Sequence, residues 1–374
     1  MTDRTSPPTD PGLLRDVGRW PIVALTINGI IGAGIFGLPS KVDALAGPWG
    51  LLAFVACAVV VASIALCFAE VSSRFTHTGG PYLYTHHAFG ATAGFTIGWL
   101  MWLTRVTAMA VISNVMASYL AYFWPPAAGG WGRAAAMSVV VISLTVINFV
   151  GVKQAATAAM VFTIGKLVPL LVFVGVGLFF IDPKAFVGTP PPSTSSFTQA
   201  VLLAVYAFSG FESAVVAAGE MQDPRRDLPF ALFLSLAVAA LLYVLIQVVC
   251  IGTLPGLEAS DRPLADAGVR FMGPIGASFI AAGALVSTTG TLCASVLIGP
   301  RVLFAMAERR QMPGFFGSVH DRFHTPHIAI LINAAVGLAL SISGTFTYLL
   351  GLNVIARLAT YVSTSAALPV LRRR

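Results

Sequence analysis

Charged residues are scarce in this sequence. Asp, Glu, Lys and Arg make up 10% of the 374 residues, whereas hydrophobic residues make up 57%. With a mean hydropathy of +0.85, long apolar runs recur along the chain, and this balance excludes a water-soluble globular domain. The net charge of +7 calls for no nucleic-acid partner, because the basic residues fall mainly between the apolar runs.

Cysteine is also rare, with four residues and no C-x-x-C pair. Each lies in an apolar run, so neither disulfides nor a zinc site is predicted. His320, His324 and His327 have a spacing that could suit a metal, but Pro326 interrupts any helix there, and we predict no metal site and no cofactor. The chain lacks H-E-x-x-H, G-x-S-x-G and P-loop motifs, which argues against an enzyme. A channel is disfavoured too, since no ring of charge or repeated carbonyl filter is evident.

Ten apolar segments can each cross a bilayer as a helix. The residues before them are rich in charge and have no apolar core, so no signal peptide is predicted. The predicted spans are residues 20–46, 49–74, 91–123, 134–150, 157–181, 197–221, 229–254, 274–306, 326–343 and 345–371. They divide the chain into a tail (1–19), a first five-helix half (20–181), an outer loop (182–196), a second half (197–371) and a short end (372–374).

The distribution of Lys and Arg predicts the orientation of the spans. If the N-terminus is cytoplasmic, most basic residues fall in inner segments, and the outer segments hold Lys41, Arg133, Lys184, Arg262 and Arg270. Cytoplasmic loops carry the excess of basic residues in membrane proteins. We therefore predict a multi-pass protein of the cell (plasma) membrane with both termini in the cytoplasm.

The first span contains an unusual cluster of glycines. Gly29, Gly32, Gly34 and Gly37 lie within nine residues, and Pro39 follows. Each glycine costs a helix about 1 kcal/mol relative to alanine, although glycine also permits close packing in membranes. Unwound backbone in the bilayer is tolerated only where it lines a protein cavity. The cluster therefore predicts a discontinuous helix whose bare backbone forms a binding site.

The sixth span repeats this anomaly at residues 209–212, where small residues and an acid lie at mid-depth. Spans 1 and 6 each begin a five-helix half, and an odd number of spans gives the two halves opposite orientations. Paired breaks at matching positions of inverted repeats indicate a transporter site at the membrane midplane. The aromatic residues Tyr206, Phe208 and Phe211 beside the second break are candidates for pocket walls or for core packing.

Three motifs lie in order along the chain: Gly32-Ala33-Gly34-Ile35-Phe36 with Pro39, Gly79-Gly80-Pro81-Tyr82, and Gly210-Phe211-Glu212-Ser213 followed by Asp223-Pro224-Arg225-Arg226. In sequence and spacing the chain resembles the amino acid–polyamine–organocation (APC) superfamily. The resemblance implies an all-α integral membrane protein of the leucine-transporter-type fold, with two inverted five-helix repeats and helices 1 and 6 broken at the midplane. Most members have twelve spans, and the ten predicted here correspond to the transport core.

The same resemblance implies where a substrate would bind. Its carboxylate would meet backbone N–H groups of the first break, and its ammonium would meet carbonyls at Ile30, Tyr206 and Ser209. A helix N-terminus carries partial positive charge and an unwound carbonyl partial negative charge, which suits the two ends of an amino acid. The expected substrate-binding residues are Ile30, Gly32, Ala33, Gly34, Tyr206, Phe208, Ser209 and Gly210.

Lys166 is the first candidate for coupling to an ion, because a charge at the bilayer centre costs at least about 2.5–3.5 kcal/mol. It is either a structural cation or, as the resemblance to proton-coupled members implies, it stands where relatives bind sodium between helices 1 and 8. The neighbouring hydroxyls in that case would be those of Ser287, Thr288 and Thr289.

Glu212 is the second candidate for coupling. It either accepts hydrogen bonds from the free backbone amides of the second break or moves protons. Arg105 and Arg357 are expected to face the interior of the helix bundle, Arg357 as an anchor or gate ion pair. Because Glu212 is the only acid near the expected pocket, a neutral substrate is favoured over a cationic one.

These features predict a secondary active transporter that moves amino acids by alternating access, without sodium and coupled to protons. The alternatives are an obligatory exchanger (antiporter) of amino acids or amines, and an amino acid sensor that does not transport. The expected partners are an amino acid or related amine, the lipid bilayer and protons, and not nucleic acid. The sequence specifies no oligomeric state.

Gly34→Val is expected to abolish substrate binding while the protein still inserts into the membrane. A β-branched side chain would block the approach of a substrate to the exposed amides of the first break. Binding to the purified variant and its recovery in the membrane fraction measure the two effects separately. Normal substrate binding by the variant would show that the backbone cradle is wrong.

Overall fold

The computed structural model describes residues 19–75, 80–150, 155–216, 221 and 224–373. The predicted tail up to residue 18, the motif residues Gly79 and Asp223, and positions 217–220 of the sixth predicted span lie outside the described residues.

The described part of the chain folds into thirteen α-helices, which overlap all ten predicted spans. In chain order they are α1 Arg19–Ile30, α2 Gly34–Ala46, α3 Gly50–Ser72, α4 Gly80–Phe89, α5 Ala91–Leu120, α6 Gly130–Val150, α7 Ala155–Gly177, α8 Thr194–Ala207, α9 Glu212–Val216, α10 Pro224–Thr253, α11 Pro263–Glu308, α12 His327–Ser343 and α13 Phe346–Arg372. By length and composition, 6 described helical stretches could cross a membrane. Two further apolar helical stretches, Gly165–Phe180 and His327–Ser343, are shorter, and two of the predicted spans are divided by breaks.

Local sequence sets where several helices begin. The Ser193 hydroxyl accepts a hydrogen bond from the Ser196 amide at 3.1 Å and caps α8. Thr345 caps α13 in the same way through the Tyr348 amide. Such side-chain acceptors satisfy amides that have no partner within the helix. Pro263 begins α11, a position that suits proline because the missing N–H is not needed there.

Two segments outside the predicted spans are helical. Residues 82–87 belong to α4, whose Tyr82, Leu83 and Tyr84 are buried against neighbouring helices. The residues before the eighth predicted span, 274–306, are helical as well, because α11 begins at Pro263. Non-helical backbone at Gly273, where φ is +67°, separates this first part of α11 from the predicted span. Buried apolar side chains favour helix in both segments, a tertiary effect that the polar residues between them hide in the sequence.

The structure contains both breaks. The first separates α1, which ends at Ile30, from α2, which begins at Gly34, and the second separates Ala207 from Glu212. Gly210 in the second break has φ of +112°, a conformation that favours glycine. The inverted relation of the two five-helix halves, and the division of the chain into those halves, stay predictions.

The breaks lie at the centre of the bundle. α1 packs against α10, α2 against α8, and α5 contacts both α11 and α13. Large apolar side chains cover the outside of the bundle, including Val59 at 63% and Ile355 at 68% exposure. Apolar residues on the outer surface are what a bilayer requires of a spanning helix.

Candidate functional site

A cavity of about 520 Å³ lies beside the two breaks. Of the first broken span, α1 lines the described part of the cavity, from Leu25 onward, and α2 does not. The charged residues on its wall come from four helices and are Arg105 of α5, Lys166 of α7, Glu212 of α9 and Arg357 of α13. Concave sites with a few convergent polar groups are the usual form of a small-molecule site.

The two breaks contact each other through backbone atoms at Gly210. A β-carbon at this position would lie 2.2 Å from the Gly29 carbonyl oxygen and 3.1 Å from the Ile30 nitrogen. A side chain would therefore push the second break away from the first. Glycine is required here for its conformation and for this close approach.

Tyr243 of α10 joins the two breaks. Its hydroxyl oxygen lies 2.9 Å from the Ile30 carbonyl oxygen and 2.9 Å from the Ala207 carbonyl oxygen. These two residues end α1 and α8, where carbonyls lack a partner within the helix. The hydroxyl has one proton and donates to one carbonyl at a time. Tyr243 was not predicted as a site residue, although a tyrosine hydroxyl in the middle of an apolar span is a visible signal in the sequence.

Lys166 also binds backbone that the first break frees. Its Nζ donates to the Asn28 carbonyl at 2.6 Å, and the residue is 4% exposed. α7 approaches α11 closely beside it, since a β-carbon at Gly283 would lie 2.4 Å from Pro169 Cγ. This contact brings the ammonium to the last turn of α1, where an orphan carbonyl needs a donor.

The hydroxyls predicted to accompany Lys166 differ in their surroundings. Ser287 lines the same cavity, and its buried Oγ has no hydrogen-bond partner in the part of the chain that the structure describes. Thr288 Oγ1 donates back to the Ala284 carbonyl at 2.7 Å. The cavity wall continues with Thr291, which was not predicted, while Thr289 is not part of the described lining. An ion-site role for the three predicted residues stays a prediction.

The Glu212 carboxylate accepts hydrogen bonds from three residues. Its Oε2 accepts the Gly210 amide at 2.7 Å, while Oε1 accepts Arg357 Nη1 at 2.7 Å and the Tyr361 hydroxyl at 2.6 Å. The carboxylate therefore caps the second break and pairs with α13. This geometry supports the structural interpretation of Glu212 and the expected ion pair of Arg357. A proton-carrying role for Glu212 stays a prediction.

The residues expected to bind substrate do not all face the cavity. Gly210 lines it, as do Asn28 and Gly29 of the first break. Ala33 and Tyr206 are buried at 2% and 6% exposure, and Phe208, at 0%, packs its ring against Tyr243 with 5.2 Å between centroids. The Ser209 hydroxyl donates to the Tyr206 carbonyl at 2.6 Å. Their roles in substrate binding stay predictions.

The surroundings of Gly34 and Gly32 sharpen the test of the backbone cradle. A β-carbon at Gly34 would lie 3.0 Å from Ala207 Cα, so valine there would also separate α2 from α8. At Gly32 the nearest atoms would be those of the Thr291 side chain at 3.6 Å, an ordinary contact. Gly32→Ala therefore tests the exposed backbone of the first break with less disturbance of helix packing than Gly34→Val.

Comparisons with known proteins place this geometry in context. A family profile described as amino acid permease matches residues 17–374. Three transporters of Bacillus subtilis (strain 168) are similar to the chain. The serine/threonine exchanger SteT is 29% identical and the branched-chain amino acid permease BcaP 27%, covering 98% and 97% of this chain and 85% and 82% of their own lengths. The methylthioribose transporter is 28% identical over 97% of this chain and 82% of its own length.

Tyr243→Phe is expected to destabilise the folded protein, because it removes the donor from two helix-end carbonyls. Leaving a buried acceptor unsatisfied costs about 1–3 kcal/mol, which should lower the midpoint of thermal unfolding in detergent. Tyr348→Phe is the matched control, since that residue is 63% exposed. Equal midpoints for the two variants would contradict a bridging role for Tyr243.

Proposed function

The chain belongs to the amino acid permease family, and on this premise we propose that it moves amino acids by alternating access as a sodium-independent, proton-coupled secondary transporter. The observation that carries the proposal is the junction of two broken helices beside a charged cavity, with Lys166 bound to the Asn28 carbonyl of the first break. Backbone interrupted within a membrane helix is expected where a transporter binds its substrate and ions.

Two cavities on opposite sides of the breaks support alternating access. The cavity with Lys166 follows α1, whereas a second one, of about 580 Å³, is lined by Gly37 and Lys41 of α2. Between them, α2 packs on α8, and the Tyr119 hydroxyl donates to the Phe36 carbonyl at 2.8 Å. If the N-terminus is cytoplasmic, the cavity with Lys166 lies on the cytoplasmic side of the breaks and the second cavity on the outer side.

Lys166 is the basis for coupling to protons rather than to sodium. Its ammonium already occupies a carbonyl freed by the first break, which is the kind of ligand that a bound cation would use. A lysine surrounded by apolar residues can lose its proton more readily than one in water. Loss of that proton would weaken the charge-assisted hydrogen bond to the Asn28 carbonyl and loosen the first break, which links the protonation state to helix movement.

Exchange of two substrates is the second candidate function. SteT, one of the similar proteins, is named a serine/threonine exchanger. In an exchanger, Lys166 would keep its charge throughout the transport cycle and stay hydrogen-bonded to the end of α1. The two candidates differ in whether an imposed proton gradient alone drives net uptake.

Purified protein in liposomes is expected to show saturable uptake or counterflow of at least one amino acid. A panel of radiolabelled amino acids and amines, including serine, threonine and the branched-chain amino acids, measures it. Protein-free liposomes are the control. Folded protein that moves no compound in the panel would contradict amino acid transport.

Lys166→Ala is expected to abolish uptake or to remove its dependence on an inward proton gradient. Uptake is measured with imposed proton and sodium gradients in turn. Lys184→Ala is the control, since Lys184 is an exposed lysine in a loop. Sodium-dependent uptake, or an unchanged pH profile in Lys166→Ala, would contradict proton coupling through this residue.

A further inference from the structure

Arg105 is the charged group on the described cavity wall that has no part in the coupling and ion-pair contacts of Lys166, Glu212 and Arg357. It lies at the middle of the 30-residue helix α5, where a charge in a membrane protein is expensive. Its side chain lines the cavity. Within the described residues it forms no direct hydrogen bond or ion pair, although its charge acts on Glu212 at longer range.

The carboxylate of Glu212 does not neutralise Arg105. Both of its oxygens are already engaged, Oε2 by the Gly210 amide and Oε1 by Arg357 and Tyr361. The described wall of the cavity thus combines three basic residues, Arg105, Lys166 and Arg357, with one acid. The excess of positive charge attracts an anionic group and repels a cation.

A buried hydrogen-bond network fixes the position of Arg105 relative to the ion pair of Glu212 and Arg357. The Asn353 amide nitrogen donates to the Thr104 carbonyl at 2.7 Å and to the Thr107 hydroxyl at 3.0 Å. The Asn353 carbonyl oxygen accepts Arg357 Nε at 3.4 Å. One side chain on α13 therefore holds the turn of α5 that carries Arg105 and orients the arginine bound to Glu212.

We propose that Arg105 binds a second carboxylate, in the side chain of the substrate, and that acidic amino acids are the preferred substrate class. This inference rests on the proposed transport function, in which the backbone of the breaks takes the α-amino and α-carboxyl groups. The planar guanidinium of arginine matches a carboxylate with two parallel hydrogen bonds. A neutral substrate would leave Arg105 without a partner, and a cationic substrate would meet three positive charges.

The experiment compares substrates of nearly equal shape. Full-length protein in liposomes is tested for uptake of L-glutamate and L-aspartate, with L-glutamine, L-asparagine and L-lysine as competitors and as substrates. The acidic amino acids are expected to compete at least about tenfold better than their amides, because a buried polar site discriminates against a substrate that leaves it unpaired. L-lysine is expected not to compete.

Variants of the arginine identify its part in this selectivity. Arg105→Gln should remove the preference for L-glutamate over L-glutamine, measured as the ratio of the two uptake rates, and Arg105→Lys should restore part of the preference. Arg270→Gln, at an exposed position of α11, is the matched control and should leave the preference intact. Thermal unfolding of each variant shows that it is folded, and the selectivity of the unmodified protein tests the proposal independently of them.

Three results would overturn the inference, and they differ in what they imply for transport. Uptake of neutral amino acids with no preference for the acidic ones overturns it and leaves the proposed function standing. An equal loss of L-glutamate and L-glutamine uptake in folded Arg105→Gln assigns the residue to the common part of the substrate, and also overturns it. Failure to move any amino acid overturns the proposed function and this inference with it.

Discussion

Every unwound backbone group in a membrane helix must find its hydrogen-bond partner inside the protein, since the lipid offers none. Two breaks create such groups at the centre of this bundle, and three side chains from other helices satisfy them. Tyr243 reaches carbonyls of both breaks, Lys166 the Asn28 carbonyl, and Glu212 the Gly210 amide. These contacts allow the two helices to remain interrupted without exposing polar backbone groups to lipid.

The same requirement connects architecture to transport. Partners that come from side chains can be exchanged for a substrate or lost on a change of protonation, whereas hydrogen bonds within a continuous helix cannot be replaced so easily. Gly210 adds a steric condition, because its backbone lies against Gly29 with no room for a β-carbon. Movement of one break therefore has to involve the other, as the proposed alternating access requires.

Charged side chains inside the bundle also depend on partners within the protein. Glu212 is satisfied from three directions and holds Arg357, which Asn353 also orients. Arg105 differs, because the protein brings its charge to the cavity and gives it no direct partner within the described residues.

The sequence by itself determined the ten spans and the two helix breaks, because hydropathy and glycine content act locally along the chain. It also singled out Lys166 and Glu212, since an ionisable residue within an apolar run is visible without a structure. Tertiary structure alone decided that Tyr243 bridges Ile30 and Ala207, which lie 213 and 36 positions away. It also decided that Arg357 meets Glu212 across 145 positions, and that α11 begins at Pro263. Such contacts depend on how helices pack, and packing between distant segments leaves no periodic or compositional trace in a single sequence.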